Sequence, residues 1–515
     1  MRIQLIHPPI CVNPRAIQAT RPSLPMGLAY IAAALREAGH EVSVLDAVIA
    51  APERPTADYG YTYFGLRPDE IVERIDASAD AIGLTTMFSF QWPLSRAIAR
   101  AVKAAHPSKL LIAGGEHFTG MTEHSLREAP LDFVVRGEGE ATVQELFAAL
   151  GGGQSVETVP GLAFLRDGDY VETPKRARIR EVDALRWPAW DLFDPAAYYR
   201  AGFIFGVDAG MTMPVLATRG CPYACTYCSN PSMWGRSWYA RSPHDVAEEI
   251  EAYQRRYGAT SFPFHDLTAI LKKQWIVAFC NELLRRDLRI TWQLPAGTRV
   301  EAVDEEVAHL LRRTNGCSLT FAPESGSART RELVAKKMTE EDLMVAVNAS
   351  VGAGLNVSSF FVVGFPQDTW RDLFQSVRLA ARLAWAGTND IALSYFFPIP
   401  GTDLYNRLVE KGRITVEDDF LRTPLESMNL RLSAANNYCE HLGPRAVTFM
   451  KWLILATFYT ISFAVRPWRL PVMLGNGARG KETCRLDTFL NGLRKRLLAR
   501  FGFATRREPV ALPRS

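Results

Sequence analysis

Cys221, Cys225 and Cys228 lie together in the stretch RGCPYACTYCSN, whereas Cys11, Cys280, Cys317, Cys439 and Cys484 are scattered along the chain. Thiols separated by three residues and then by two suggest a metal centre rather than a disulfide framework. A closed tetrahedral zinc site needs a fourth ligand, and the loop offers no further His or Cys. Three thiolates can instead hold three irons of a [4Fe–4S] cluster and leave the fourth iron open to an outside ligand, which makes it a place for chemistry. Tyr227, just before the third cysteine, supplies an aromatic wall.

The rest of the composition narrows the setting. The chain has 515 residues, of which 48% are hydrophobic, enough for two or three domains. Lys plus Arg total 59 against 55 Asp plus Glu, so no strong basic excess points to a nucleic-acid partner. With no signal-peptide pattern before "MRIQLIHPP" and dispersed remaining cysteines, a reducing cytoplasm is the expected compartment.

The elements that position the loop read as α/β. Residues 1–150 alternate β-branched runs with helical periodicity, which predicts a doubly wound, Rossmann-like parallel sheet. Ligands of such sheets sit beyond the carboxyl ends of the strands. Those ends are His7-Pro8-Pro9, Thr85-Thr86-Met87, Gly114 to His117 and Arg136 to Gly139, small tips that leave room for a large flat group. Residues 151–208 break the pattern with a hairpin around Asp167-Gly168 and a Pro- and aromatic-rich run, and read as a linker packed between domains. Over 209–412 six strand–helix units predict a partial (β/α)6 barrel of the TIM type, with the cysteine loop leaving its first strand at the active face. Residues 413–515 read as mostly helical.

Within that last region Ala446 to Val465 carries a single charge, Lys451. Two readings stay open: a buried helix, or a helix lying on an anionic membrane through 446–475, helped by Trp452, Trp468 and the basic residues Arg494, Lys495, Arg496, Arg500, Arg506 and Arg507.

Cys221, Cys225 and Cys228 with Tyr227 resemble the CxxxCxΦC loop of the radical S-adenosylmethionine superfamily. The preceding alternating domain resembles the cobalamin-binding domain of its cobalamin-dependent branch, and "GGEHFT", "VVRGEGE", "APESGS", "VVGFPQDT" and "FFPIPGTDLY" are each similar to a segment of that branch. The resemblance spans roughly residues 1 to 410. It implies that the three cysteines ligate a [4Fe–4S] cluster and carry the catalysis, and that the open iron binds S-adenosylmethionine, whose reductive cleavage yields a 5′-deoxyadenosyl radical. It also implies that Tyr227, Glu324, Ser325 and Gly326 contact S-adenosylmethionine. Cobalamin is expected against Thr85, Thr86, Gly114, Gly115, Glu116, His117, Gly137 and Glu138. The DxHxxG run that supplies a cobalt-ligating His in many cobalamin proteins is missing, since Gly stands at 115, so His117 is expected to line the corrin or nucleotide tail rather than ligate cobalt. His265 and Asp266 fall where relatives carry paired acids, and both a ligand role and a structural role stay open for them.

Two cofactors on facing strand ends imply methyl transfer from methylcobalamin to an unactivated carbon. The alternative is a ring-forming or ring-rearranging enzyme on the same cofactors; a non-catalytic cobalamin or redox sensor is the remote third reading. The expected partners are a small-molecule substrate, for which the apolar run favours a hydrophobic or lipid-like one while a peptide, an antibiotic precursor or a tetrapyrrole stays open, a reductant such as flavodoxin or ferredoxin, and no nucleic acid.

Overall fold

The structure, a computed structural model, describes residues 1–13, 22–58 and 61–479, together with 486, 487, 490, 491 and 494. Cys484 and the basic positions from Lys495 onward lie outside the described residues.

The first sheet contains β1 (Arg2–His7), β2 (Glu41–Asp46), β3 (Ala81–Thr85), β4 (Leu110–Gly114), β5 (Phe133–Val135) and the hairpin β6 (Leu162–Arg166) and β7 (Asp169–Glu172). Its seven strands run in the order β7-β6-β5-β4-β3-β1-β2. The first five are parallel and the hairpin adds antiparallel to β5. The hairpin expected in the linker therefore extends the first sheet, satisfying the edge of β5. The order 2-1-3-4-5 of the parallel strands reverses direction between β1 and β3, which is where such sheets open a crevice. Helices α1 (Met26–Glu37), α2 (Trp92–Ala105), the short α3 (Glu116–Gly120) and α4 (Glu140–Gly152) cover the faces. Sequence reading missed a small antiparallel sheet of Ile10–Val12, Pro55–Asp58 and Tyr61–Phe64.

The barrel has five parallel strands, β8 (Ser261–Pro263), β9 (Thr291–Thr298), β10 (Gly316–Glu324), β11 (Asn356–Val363) and β12 (Asp390–Tyr395), paired in chain order. The sixth is the extended segment 212–217, joined to β8 by parallel bridges at Thr212–Ser261 and Val215–Phe264. One hydrophobic core runs from Leu28 of α1 through Trp190 and Tyr198 of the linker to Met213 and Val215 of the barrel. That continuity fixes the first sheet against the barrel mouth.

Beyond the barrel, α6 (Trp370–Ala386) packs along α7 (Pro444–Val465), which is followed by α8 (Arg469–Arg479). Val447, Met450, Lys451, Ile454, Phe458 and Ser462 form the buried stripe of α7 at helical spacing.

Candidate active site

The cysteine loop is clamped on both sides. Thr226 N–H donates to the Val334 carbonyl at 3.0 Å, and Leu404 N–H donates to the Thr226 carbonyl at 2.9 Å, so the loops after β10 and β12 hold it between them. Asn230, opening α5 (Asn230–Met233), closes the loop by donating from Nδ2 to the carbonyls of Cys221 at 2.9 Å and Gly235 at 3.2 Å. All three thiols are half-buried. Burial pushes the Cys225 thiol up and that of Cys228 up to about 12. Among the described residues no three His, Cys, Asp or Glu side chains converge on one ion position; thiols that each take a different iron have no need to. The donor set fits an iron–sulfur cluster: three soft ligands on one clamped loop, flanked by the buried Asn230 Oδ1 and Thr226 Oγ1, neither of which has a hydrogen-bond partner.

Glu324 ends β10 in the left-handed region, φ 63°, a conformation that costs energy for a residue with a side chain and is common where geometry serves a function. Its carboxylate accepts from Lys336 Nζ at 3.1 Å and hydrogen-bonds the Tyr227 hydroxyl. Burial first, and then Glu324, raise the Tyr227 pKa well above its ordinary value, and the ring packs edge-on to Phe365 with centroids 5.5 Å apart. Gly326 turns the chain tightly against α6: its N–H donates to Ser376 Oγ at 2.9 Å, and a Cβ there would lie 2.3 Å from the Gln375 carbonyl oxygen. Ser325 Oγ accepts from Ser327 N–H at 3.1 Å and so shapes the same turn. Lys336, whose charge reaches Cys225, and Arg299, stacked 3.8 Å over the Tyr223 ring, join this site without any sequence signal of their own.

In the first domain a cavity of about 180 Å³ opens at the expected crevice, lined by Leu5, Gly83, Thr85, Gly114, Gly137 and Phe147 among others. Gly115, at φ 115°, also lines it, and a Cβ there would stand 2.7 Å from the Thr86 carbonyl oxygen. The far wall is supplied by Met233 of α5 and by Trp234, so the chain leaving the cysteine loop closes a pocket in the first domain. Met87 and Phe88 stand exposed just past β3. An apolar cavity of this size, rimmed by small residues and with exposed apolar side chains at its strand ends, fits the aromatic tail of a large cofactor whose ring rests on the strand ends.

Three of the residues expected at cobalamin also have polar partners within the protein. Thr86 is fully buried and donates from Oγ1 to Ser95 at 2.7 Å, inside the domain. His117 has Ser89 Oγ 3.0 Å from Nδ1 and Ser125 Oγ 3.3 Å from Nε2, and stacks on Trp92 at 4.9 Å. Burial lowers its pKa to about 3, and with both nitrogens engaged the ring helps hold α3 in place. Glu138 borders the cavity, but its carboxylate accepts from Arg178 Nε at 2.6 Å, Ile179 N–H at 2.9 Å and Arg219 Nη1 at 3.3 Å. Glu116, in contrast, hydrogen-bonds Ser229 beside Cys228, and burial raises its pKa. Asp266 accepts from Thr218 Oγ1 at 2.6 Å and Ala217 N–H at 3.2 Å, tying the first two barrel strands together. His265 is packed against Phe205, ring centroids 4.8 Å apart.

The sequence matches the family model of the B12 binding domain over residues 15–147 and that of the Radical SAM superfamily over 215–380. An uncharacterised methyltransferase of Pyrococcus horikoshii is 30% identical over 410 residues, covering 79% of this chain and 82% of the relative. The chain is a cobalamin-dependent radical S-adenosylmethionine enzyme. Another member, the anaerobic magnesium-protoporphyrin IX monomethyl ester cyclase of Rubrivivax gelatinosus, is 28% identical over 424 residues, 80% of this chain and 71% of the relative. The fold is that of the radical S-adenosylmethionine methyltransferase TsrM from Kitasatospora setae, solved with cobalamin and a [4Fe–4S] cluster: TM-score 0.64, 16% identity, 89% of this chain and 88% of that one. Membership of this radical SAM family brings a [4Fe–4S] cluster, S-adenosylmethionine and cobalamin as cofactors, a reductant, and a small-molecule substrate.

Proposed function

We propose that this radical SAM enzyme transfers a methyl group from methylcobalamin to an unactivated carbon. Bound together, the cofactors supply a hydrogen-abstracting radical and a methyl donor. In this reading Cys221, Cys225 and Cys228 hold the cluster, and Glu324 with Tyr227 orients S-adenosylmethionine while Ser325 and Gly326 shape the turn beneath it. Thr85, Gly114, Gly115, Gly137 and Glu116 face cobalamin. The division of labour is 1–150 for cobalamin, 151–208 as linker and hairpin, 209–412 for the radical SAM barrel and 413–515 as a helical cover.

The observation that carries the reading is the contact of the two halves: Glu116, the first residue of α3, hydrogen-bonds Ser229, the residue after Cys228. This contact supports placing the two cofactor sites side by side, where the chain's own walls can exclude water from the reaction. The test supplies S-adenosylmethionine labelled in its methyl group and flavodoxin or ferredoxin as donor, and follows the mass of the product. A gain of one labelled CH₂ unit supports methyl transfer. Loss of hydrogen without label supports the second reading, ring formation, which the kinship to a cyclase favours.

The same reading includes a hydrophobic or lipid-like substrate drawn from a membrane surface through 446–475. By length and composition α7 is apolar enough to cross a membrane, yet its buried stripe includes Lys451 and Ser462, which the protein itself holds. Its outward face shows Phe449 and Trp452, followed by exposed Trp468, Leu470, Val472 and Leu474, and no acid occurs between Glu440 and Glu482. This supports a helix lying in the interface rather than spanning it. Flotation of the full chain with anionic vesicles, lost in the Phe449→Glu, Trp452→Glu variant, is the expected result; equal flotation of both would oppose it.

A further inference from the structure

We propose that Arg219 couples the cavity of the first domain to the cysteine loop, so that filling either site tightens the other. The inference rests on the reading that the cavity holds part of cobalamin and the loop holds the cluster.

Arg219 lies two positions before Cys221 and is almost completely buried. Its fork reaches across the domain boundary, Nη1 to Glu138 at 3.3 Å and Nη2 to Glu140 at 2.6 Å. The guanidinium also lies 4.8 Å over the Tyr30 ring of α1 and 5.9 Å from that of Trp234. Arg178 completes the cluster by bonding Glu138, donating to the Trp234 carbonyl and stacking 5.3 Å over the same indole. Two guanidinium groups thus face two carboxylates. Burial alone would raise the Glu140 pKa, yet the charge and hydrogen bond of Arg219 hold it below the ordinary value.

Glu138, Glu140 and Trp234 all line the cavity. Both flanks of the cysteine loop, Arg219 before it and Trp234 after it, are consequently fastened to the cavity rim by one set of buried charges. Such a set does not loosen one bond at a time, because each break would strand an unpaired buried charge. Fixing the three thiols therefore fixes the far wall of the cavity, and a ligand in the cavity finds that ordering already complete. Reciprocity follows, since coupling between two binding equilibria is symmetric.

The probe is hydroxocobalamin, titrated by its absorbance under anaerobic conditions into the full chain before and after cluster reconstitution. The wild-type ratio of dissociation constants is expected to be about tenfold or more, within the range usual for coupled sites. In Arg219→Lys, whose single ammonium cannot fork between two carboxylates, the ratio is expected to fall to about twofold, with both ligands still bound. A wild-type ratio near one, or an undiminished ratio in Arg219→Lys, would overturn the proposal. Should that variant fold poorly, the wild-type ratio and the same titration on Arg178→Lys decide it. Failure of the underlying reading looks different: hydroxocobalamin would then bind the wild type and a cavity-filling Gly114→Leu chain equally well.

Discussion

Lys451 offers a direct measure of how α7 is held. It is 1% exposed, its Nζ donates to the Asn429 carbonyl at 2.9 Å and lies 4.0 Å over the Tyr395 ring, and burial lowers its pKa to about 7. The unfolded chain keeps the ordinary value of about 10.4. Between these two values the unfolded state holds a proton that the folded state has released, so folding stability rises with pH through this window and is lost as pH falls toward 7. From pH 7 to pH 9 this amounts to about 2 kcal/mol. For unfolding of the whole chain as one unit that is about 2 °C in Tm. Scanning fluorimetry of the cofactor-free chain against Lys451→Met cancels every other titrating group. The wild type should gain about 2 °C relative to the variant over that range. A wild-type minus variant difference that does not move with pH would refute a desolvated lysine and, with it, the seating of α7 on the protein.

Substitutions at three further positions follow from the geometry. Gly326→Ala places a Cβ 2.3 Å from the Gln375 backbone oxygen; it should lower stability by about 3 kcal/mol in urea unfolding and raise the dissociation constant for S-adenosylmethionine, since backbone cannot move aside as a side chain can. At Gly114 a Cβ meets only ordinary contacts with Val135, at 3.6 and 3.7 Å. Gly114→Ala should therefore leave cobalamin retention near wild type, whereas Gly114→Leu, projecting into the cavity, should weaken it about tenfold or more in equilibrium dialysis. Glu116→Gln keeps a hydrogen-bonding side chain opposite Ser229 and should retain both cofactors, while Glu116→Leu should loosen their mutual packing, visible as a changed cobalt(II) electron paramagnetic resonance spectrum in the presence of the reduced cluster.

Local patterns carried much of this fold. Alternating β-branched and helical runs placed the five parallel strands of the first sheet and the six barrel segments, because each is a contiguous piece with its own periodicity. The cysteine loop was equally legible, its chemistry being contained within a few residues. What sequence did not disclose depends on partners far along the chain. Glu138 reads as a cofactor contact at a strand tip, and nothing near it in the sequence shows that Arg219, 81 positions away, bonds its carboxylate. Nor does it show that His117 meets Ser89 and Ser125, or that Thr86 bonds Ser95. The strand Ile10–Val12 is too short to announce itself and forms only by pairing with Tyr61–Phe64. Lys336 finds Glu324 only because the loop after β10 folds back over the cysteines.

The central claim is that one loop generates a radical next to a cobalamin pocket in the same chain. The most direct test compares wild type with Cys225→Ala after anaerobic reconstitution, supplying S-adenosylmethionine and dithionite and measuring 5′-deoxyadenosine together with bound cobalamin. The account predicts that the wild type forms 5′-deoxyadenosine and that Cys225→Ala forms none while still binding cobalamin. Continued cleavage by Cys225→Ala, or a wild type that forms no 5′-deoxyadenosine with its cluster in place, would contradict it.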